Sequence, residues 1–328
     1  MPDMETDLLI IGAGPSGLYA TYYAGFRGLR VALVDSLPEL GGQVTAMYPE
    51  KQIFDVAGFP SIKGRDLVAG LVEQAASAHP EYFLDRTASS LTHDDESVTI
   101  ELDDGTRIRA GAAIITAGIG KFSPRPLPAG DGWLGRGMEF FVPSFAPYAG
   151  KDVVIVGGGD SAFDWALHLE PVAKTVTLVH RRDAFRAHQR TVDQVMASSV
   201  DIVTRAQVSA LLDDGSGHGV VQEVEITVDG AEPVRRPAQA VVAALGFLAD
   251  LGPLQQWGIE VQKRHIVVDA SMRTNLPRVF AAGDVTEYPG KVRLIAVGFG
   301  EAATAVNNAA VAIDPSAHIF PGHSSEGT

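Results

Sequence analysis

The stretch Leu8-Leu9-Ile10-Ile11-Gly12-Ala13-Gly14-Pro15-Ser16-Gly17 changes character at one residue. Four apolar residues that suit a buried strand stop at Gly12, and a glycine-rich turn begins. A helical stretch follows to about Gly28, then the apolar run Arg30-Val31-Ala32-Leu33-Val34, closed by Asp35. The order is strand, G-x-G-x-x-G, helix, strand, acid. Each glycine has a mechanical reason. Gly12 permits the tight turn, Gly14 lets backbone approach a pyrophosphate, and Gly17 lets the helix pack on the strand. Ser16 sits within that turn. The free N–H groups and positive dipole end of the helix then face the phosphates. Asp35 is placed to accept hydrogen bonds from ribose hydroxyls.

The same order recurs. Val153-Val154-Ile155-Val156 reads as a strand, Gly157-Gly158-Gly159-Asp160-Ser161-Ala162 as the turn, and a helix runs to about Leu169. Alanine is an allowed third small residue. Thr175-Val176-Thr177-Leu178-Val179 is the next strand. Gly12 and Asp35 are 23 residues apart, and so are Gly157 and His180. His180 therefore stands where the first unit has its acid, with Arg181, Arg182 and Arg186 close behind. An acid at that strand end suits a free 2′-hydroxyl and repels a 2′-phosphate, whereas arginine pairs with the phosphate through charge-assisted bonds. The first unit is expected to hold FAD or NAD, the second NADPH, with Gly157, Gly159, Asp160 and Ser161 at the phosphates.

The segments between and beyond these units extend the pattern. Gly41-Gly42-Gln43 reads as a loop with Tyr48 just after it, and Gly64–His79 as an amphipathic helix. A strand is expected near Tyr82–Arg86, and Asp103-Asp104-Gly105-Thr106 is a hairpin signal between Ser97–Leu102 and Arg107–Arg109. Ala112–Gly118 and Ala240–Phe247 are two similar apolar runs, each late in its unit, and Val220–Val228 fits a strand. Pro124, Pro126 and Pro128 mark a domain boundary. Leu276–Val285 reads as a strand ending in Gly283-Asp284, followed by a long helical pattern over Ile295–Ile313. An acid there suits a ribityl hydroxyl, and the helix N-terminus suits a flavin ring that gains negative charge on reduction.

Composition narrows the classes. The chain has 328 residues, enough for two cores, with 46% hydrophobic and 20% charged residues, a globular profile. The formal charge of −14 argues against nucleic-acid binding. There are no cysteines, which excludes disulfides, thiolate metal sites and a thiol relay in this chain, and no metal site is expected. No apolar run approaches the roughly 20 residues of a membrane helix. The acidic N-terminus does not read as a signal peptide, so a cytoplasmic protein is expected.

The two dinucleotide motifs, the strand at Ala112–Gly118 and the late Ala282-Gly283-Asp284-Val285 resemble the two-dinucleotide-binding flavoproteins of the thioredoxin-reductase type. Those enzymes carry a Cys-x-x-Cys pair just ahead of the second glycine motif, where this chain reads Gly137–Phe145 without cysteine. Gly41-Gly42-Gln43, Tyr48-Pro49, His180-Arg181-Arg182 and the tail Pro321–Ser325 are most similar to the thioredoxin-reductase-like ferredoxin–NADP reductases. The resemblance implies an α/β fold of two Rossmann-like domains: a discontinuous FAD-binding domain (residues 1–122 and 248–328) and an NADPH-binding domain (residues 123–247). It implies FAD contacts at Ser16, Asp35, Gln43, Tyr48, Ala88, Phe122, Asp284 and Ser325. Tyr48 and His323 would stack on the flavin, and Ala88 would act through its backbone near the adenine. Hydride would pass from NADPH to flavin N5 without a side-chain acid or base, and electrons would leave singly to ferredoxin or flavodoxin. A homodimer is also implied. An acidic carrier needs a local basic patch on this acidic chain, for which Lys51, Lys63, Arg65, Lys291 and Arg293 are candidates. A diaphorase or quinone reductase, a flavin monooxygenase and a nucleotide-binding sensor without turnover are the competing readings.

Overall fold

The computed structural model describes residues 4–213, 215 and 219–322, with Lys121, Phe122 and Ala249 described by backbone alone. The chain divides into two compact units, Met1–Lys121 with Ala249–Thr328, and Phe122–Leu248. It runs through β1 (Met4–Ile11), α1 (Pro15–Phe26), β2 (Val31–Asp35), α2 (Gly42–Met47), α3 (Gly64–Ala76), β3 (Glu81–Leu84), β4 (Ala88–His93), β5 (Val98–Leu102) and β6 (Arg107–Ile115). In the second unit it forms β7 (Met138–Glu139), β8 (Asp152–Val156), α4 (Asp160–Leu169), β9 (Thr175–Val179), α5 (Gln189–Met196) and β10 (Asp201–Val203). There follow β11 (Ala206–Leu212), β12 (Glu223–Val228), β13 (Val234–Pro237) and β14 (Ala240–Ala243). Back in the first unit come β15 (Val279–Ala281) and α6 (Ile295–Ile313).

In the first unit the strands lie in the order β3-β2-β1-β6-β5-β4, and β15 also pairs with β6. The β1, β2, β3, β6 and β15 pairings are parallel, and β4-β5-β6 form an antiparallel flap. Parallel central strands are covered on both faces, so their sequences read as unbroken apolar runs. Leu8, Leu9, Ile10, Leu33, Ile114 and Ile115 are all fully buried. Helix α1 opens with Pro15 in its first turn, where a missing N–H costs nothing. The second unit has a parallel sheet in the order β7-β14-β8-β9-β10 and a separate antiparallel sheet, β11-β12-β13. Among the described residues, no helix is long and apolar enough to cross a membrane.

Several local expectations shift. The Gly41–Gln43 loop is the entrance to α2, so Gln43 lies on a helix. The expected strand over Leu276–Val285 shrinks to Val279–Ala281. Pro277 has no N–H to donate, Arg278 takes φ +61°, and Gly283 turns the chain at φ +82°. The strand Ala88–His93 carries little hydrophobic alternation, because Ser89, Ser90, Thr92 and His93 sit on an outer flap. The strands expected near Tyr82–Arg86 and Val220–Val228 form over Glu81–Leu84 and Glu223–Val228.

Ile114 is fully buried and its backbone is paired with Ile10 on one side and Phe280 on the other. Ile114→Ala is expected to cost about 2–5 kcal/mol, through lost transfer energy and a cavity that paired backbones cannot close. Urea unfolding followed by intrinsic fluorescence checks this.

Candidate functional site

Register builds the first site. Ile11 pairs with Val34 and with Ile115, and Ile115 pairs with Ala281, so four parallel strands end in one row. The next residues of those strands, Gly12, Asp35, Thr116 and Ala282-Gly283, therefore share one edge of the sheet. This edge is where open α/β sheets bind ligands.

The glycine turn is shaped partly by the protein and partly by what the protein leaves open. Gly12 has φ +112°, and a Cβ there would lie 2.5 Å from the Thr116 carbonyl oxygen. The Thr116 hydroxyl donates to the Gly12 carbonyl at 2.7 Å, which ties the turn to the end of β6. A Cβ on Gly17 would overlap the Gly12 carbonyl. A Cβ on Gly14, by contrast, would meet no atom within 4 Å. The protein's own packing does not require glycine at 14, which is what close approach of a ligand to the backbone explains. Helix α1 has no side chain capping its first N–H groups. Those donors point at the same place.

The remaining expected residues of this unit gather around the turn. Asp35 is buried and accepts from the backbone N–H groups of Ala13 and Leu37. Burial pushes its pKa up, and those two bonds oppose the shift. The Arg86 N–H donates to the Asp35 carbonyl at 3.1 Å, so the chain leading into Ala88 crosses the end of β2. A Cβ on Gly118 would lie 2.7 Å from Gln43 Nε2, which sets the Gln43 amide at the exit of β6. Tyr48 ends α2, and burial, with the negative charges of Asp284 and Asp55, pushes its phenol up to about 12. It is a neutral ring at any physiological pH. A Cβ on Gly283 would lie 2.8 Å from Ser16 Oγ, and one on Gly298 would overlap the same hydroxyl. Ser16 thus joins the first turn of α1 to the Gly283-Asp284 turn and to the first turn of α6. His323 and Ser325 lie outside the described residues, and only the backbone of Phe122 is described.

Beneath Asp284 lies a buried ion pair that sequence reasoning missed. Glu301 and Lys291 have side-chain exposures of 5% and 1% and are in direct contact. Glu301 also accepts from the Gly283 N–H at 2.7 Å and from the Tyr288 hydroxyl. Lys291 donates to the Gly283 carbonyl at 3.0 Å. Both peptide groups of Gly283 are therefore held by one salt bridge. Burial raises the Asp284 pKa, opposed first by Lys291 and then by Arg293. The signal was present, since Glu301 is the single charged residue of the 19-residue helix α6. A lone buried acid requires a cation. The pair also removes Lys291 from the expected basic patch. Lys291 is interior, Lys63 and Arg65 both pair with Glu50, and Arg293 pairs with Glu287.

The second unit repeats the first edge with different chemistry. Val156 pairs with Val179 and Ala243, so Gly157, His180 and Ala244 share the sheet edge. The Gly157 N–H donates to the Val179 carbonyl at 3.0 Å, as the Gly12 N–H donates to Val34 at 2.8 Å. Gly157 faces the Ala244 carbonyl closely, while a Cβ on Gly159 would meet nothing within 4 Å. The open middle position recurs. Helix α4 starts at Asp160, with Ser161 in its first turn. Arg181, Arg182 and Arg186 are exposed, and none has a carboxylate partner among the described residues. Burial, and then the charges of these three arginines, lower the His180 pKa despite its contact with the Ala184 carbonyl, so its ring is neutral at pH 7.

Residues 6–310 match the family model for pyridine nucleotide-disulphide oxidoreductases. A ferredoxin–NADP reductase of Nocardioides sp. is 79% identical over 99% of this chain and 98% of its own length. One of Salinispora arenicola is 62% identical over 99% of each. The chain belongs to the ferredoxin–NADP reductase family. Among solved structures, the thioredoxin reductase of T. acidophilum has a TM-score of 0.78 at 26% identity, over 94% of this chain and 97% of that one. Family membership makes the chain an oxidoreductase, and the fold it shares with that structure includes the strand–turn–helix–strand frame seen once in each unit. Cysteine is absent from the whole sequence, so no dithiol of this reductase takes part in its chemistry.

Removing one member of the buried pair strands the other. Lys291→Met is expected to destabilise the first unit by about 3–5 kcal/mol, and Lys291→Met combined with Glu301→Gln to recover most of that loss. Chemical unfolding of both variants checks the non-additivity.

Proposed function

We propose that the unit carrying Asp35 and Asp284 holds FAD, and that the unit carrying His180-Arg181-Arg182 takes NADPH. In this reading the protein passes electrons from NADPH through the flavin to ferredoxin, the acceptor for which its relatives are named, or to flavodoxin. The observation that carries the reading is the contrast at one position of a repeated frame. A buried carboxylate ends β2, and an imidazole followed by three exposed guanidiniums ends β9. The carboxylate accepts from ribose hydroxyls and repels a 2′-phosphate, while the guanidiniums attract one.

The residues present suit both groups. At the first edge, Gly14 and the uncapped N-terminus of α1 provide an open, donor-rich face for a pyrophosphate. Asp35 retains lone pairs for the adenosine ribose, and in this reading the backbone at Ala88 would meet the adenine. Asp284, held by the Lys291–Glu301 pair through Gly283, is a fixed acceptor for a ribityl hydroxyl. Gln43 offers an amide and Tyr48 a neutral aromatic face to the ring. Helix α6 also has an uncapped first turn, and its positive end favours a ring carrying extra electron density. When bound, the flavin supplies the conversion of a two-electron hydride into single-electron deliveries. The side chains bind, orient and exclude water, and none has to act as acid or base. His323 and Ser325 of the tail, and Phe122 at the exit of the first unit, complete the flavin contacts in this reading. A cytoplasmic homodimer belongs to it as well.

Anaerobic mixing of the purified protein with NADPH, followed by oxidised ferredoxin, tests the reading. The flavin absorbance is expected to bleach with NADPH and to return as ferredoxin is reduced. A bleached flavin that neither ferredoxin nor flavodoxin reoxidises overturns the acceptor, and a bound flavin that NADPH does not bleach overturns the nucleotide assignment. Arg181→Ala with Arg182→Ala is expected to lower the preference for NADPH over NADH roughly 10- to 100-fold, since hydrogen bonds to charged groups contribute about 1.5–3 kcal/mol. Stopped-flow reduction with each nucleotide measures it.

A further inference from the structure

The loops that follow the second strand in each unit are tied to the glycine turn by equivalent backbone bonds and by different side-chain devices. In the first unit the Gly41 N–H donates to the Ala13 carbonyl at 2.9 Å. In the second, at the equivalent position, the Arg186 N–H donates to the Gly158 carbonyl at 2.7 Å. Beyond that bond the devices diverge. In the first unit the chain closes by direct backbone approach, and a Cβ on Gly42 would lie 2.9 Å from the Gly14 Cα. In the second unit Asp160, standing where the first unit has Pro15, reaches across, and its Oδ1 accepts from the His188 N–H at 2.8 Å. The loop from His180 to these ties is filled from below. The Phe185 ring packs edge-on against buried Phe163 at 4.8 Å and tilts against His180 at 5.5 Å. The His180 ring lies so close to Gly158 that any Cβ there would overlap it.

The consequence falls on the arginines. Arg181, Arg182 and Arg186 all lie within or at the end of this tethered loop, and their side chains are not held by carboxylates among the described residues. The loop is held instead by its backbone, at Arg186 through the Gly158 carbonyl and at His188 through Asp160. Asp160 is an acid at the first turn of a helix whose open glycine face receives phosphates, where another negative charge works against the ligand. Its hydrogen-bond partner is the arginine loop. We infer that Asp160 is a specificity-positioning residue: by holding the His188 N–H it fixes the arginine loop over the glycine turn, so that recognition of a nucleotide 2′-phosphate is built before the ligand arrives. The inference rests on the reading of the second unit as the NADPH site and extends it to a residue that does not itself contact the 2′-phosphate. Ordering the loop in advance removes its ordering cost from binding, and the gain appears only for ligands that use the arginines.

Calorimetric titration of the purified full-length protein with 2′,5′-ADP and with 5′-ADP separates the possibilities. Asp160→Ala is expected to lower the ratio of 2′,5′-ADP to 5′-ADP affinity about fivefold, the effect of one lost exposed hydrogen bond, because loss of the negative charge beside the phosphates acts on both ligands alike and drops out of the ratio. Asp160→Asn, whose amide oxygen accepts the same bond, is expected to restore wild-type discrimination. The inference is overturned if Asp160→Ala leaves the ratio of the two affinities unchanged, if it weakens both ligands equally, or if Asp160→Asn loses as much as Asp160→Ala. Arg181→Ala with Arg182→Ala, titrated in parallel, tests the underlying reading. If that variant leaves the ratio unchanged, the 2′-phosphate assignment itself fails. If it lowers the ratio while Asp160→Ala does not, only the role of Asp160 fails.

Discussion

Parallel strand register is the constraint on which everything else in this molecule rests. In the first unit, Ile11, Val34, Ile115 and Ala281 are joined in one row by backbone pairing, so the residues that follow them emerge together. The site needs a turn, an acid, a hydroxyl and a second acid from positions as far apart in sequence as 12 and 284. A slip of one residue in any strand would turn its side chains to the opposite face. Because these strands are buried on both faces, such a slip would force each side chain into a close-packed space shaped for its neighbour.

The same frame is used twice, and its two copies differ where ligand chemistry differs. The first glycine of each turn is crowded by the carbonyl of a neighbouring strand end, Thr116 in one copy and Ala244 in the other. That crowding is an internal requirement of the fold. The third small residue is also dictated by packing, as Gly17 and buried Ala162 show. The middle glycine, 14 or 159, faces open space in both copies. Fold and function thus separate within six residues of a single motif. At the end of the second strand the copies part further. A buried Asp35 accepts one backbone bond from Ala13 in the glycine turn and one from Leu37 just after it, whereas His180 fills that place by packing on Gly158 and leaves the polar role to arginines.

The Lys291–Glu301 pair shows how a polar interior is tolerated. Two charges removed from water are costly, and here the cost is offset by bonds to the Gly283 N–H, the Gly283 carbonyl and the Tyr288 hydroxyl. A hydrophobic substitute could fill the volume but could not hold both peptide groups of a turn at φ +82°. The pair therefore gives position to Asp284 more than it gives net stability.

The double strand–turn–helix–strand pattern, the 23-residue spacing and the exchange of Asp35 for His180 were legible in the sequence, because each is local and follows from backbone sterics, hydrophobic period or charge. Glycine marks a turn wherever it occurs, and an arginine cluster carries its charge in any fold. The flap strand Ala88–His93 was hidden because its outward polar residues carry no hydrophobic period. The interior position of Lys291 was hidden because lysine is exposed in most settings, and only the packing of α6 brings Glu301 to it. Ser16 meeting Gly298, and Asp160 reaching His188, likewise depend on how distant segments close on one another. Residue order was enough to say which segments bend, which are apolar and which sign of charge each turn presents. Which charges lie inside, and which loop is tied to which turn, emerged only on folding, because burial and long-range hydrogen bonds exist only once the sheets have assembled.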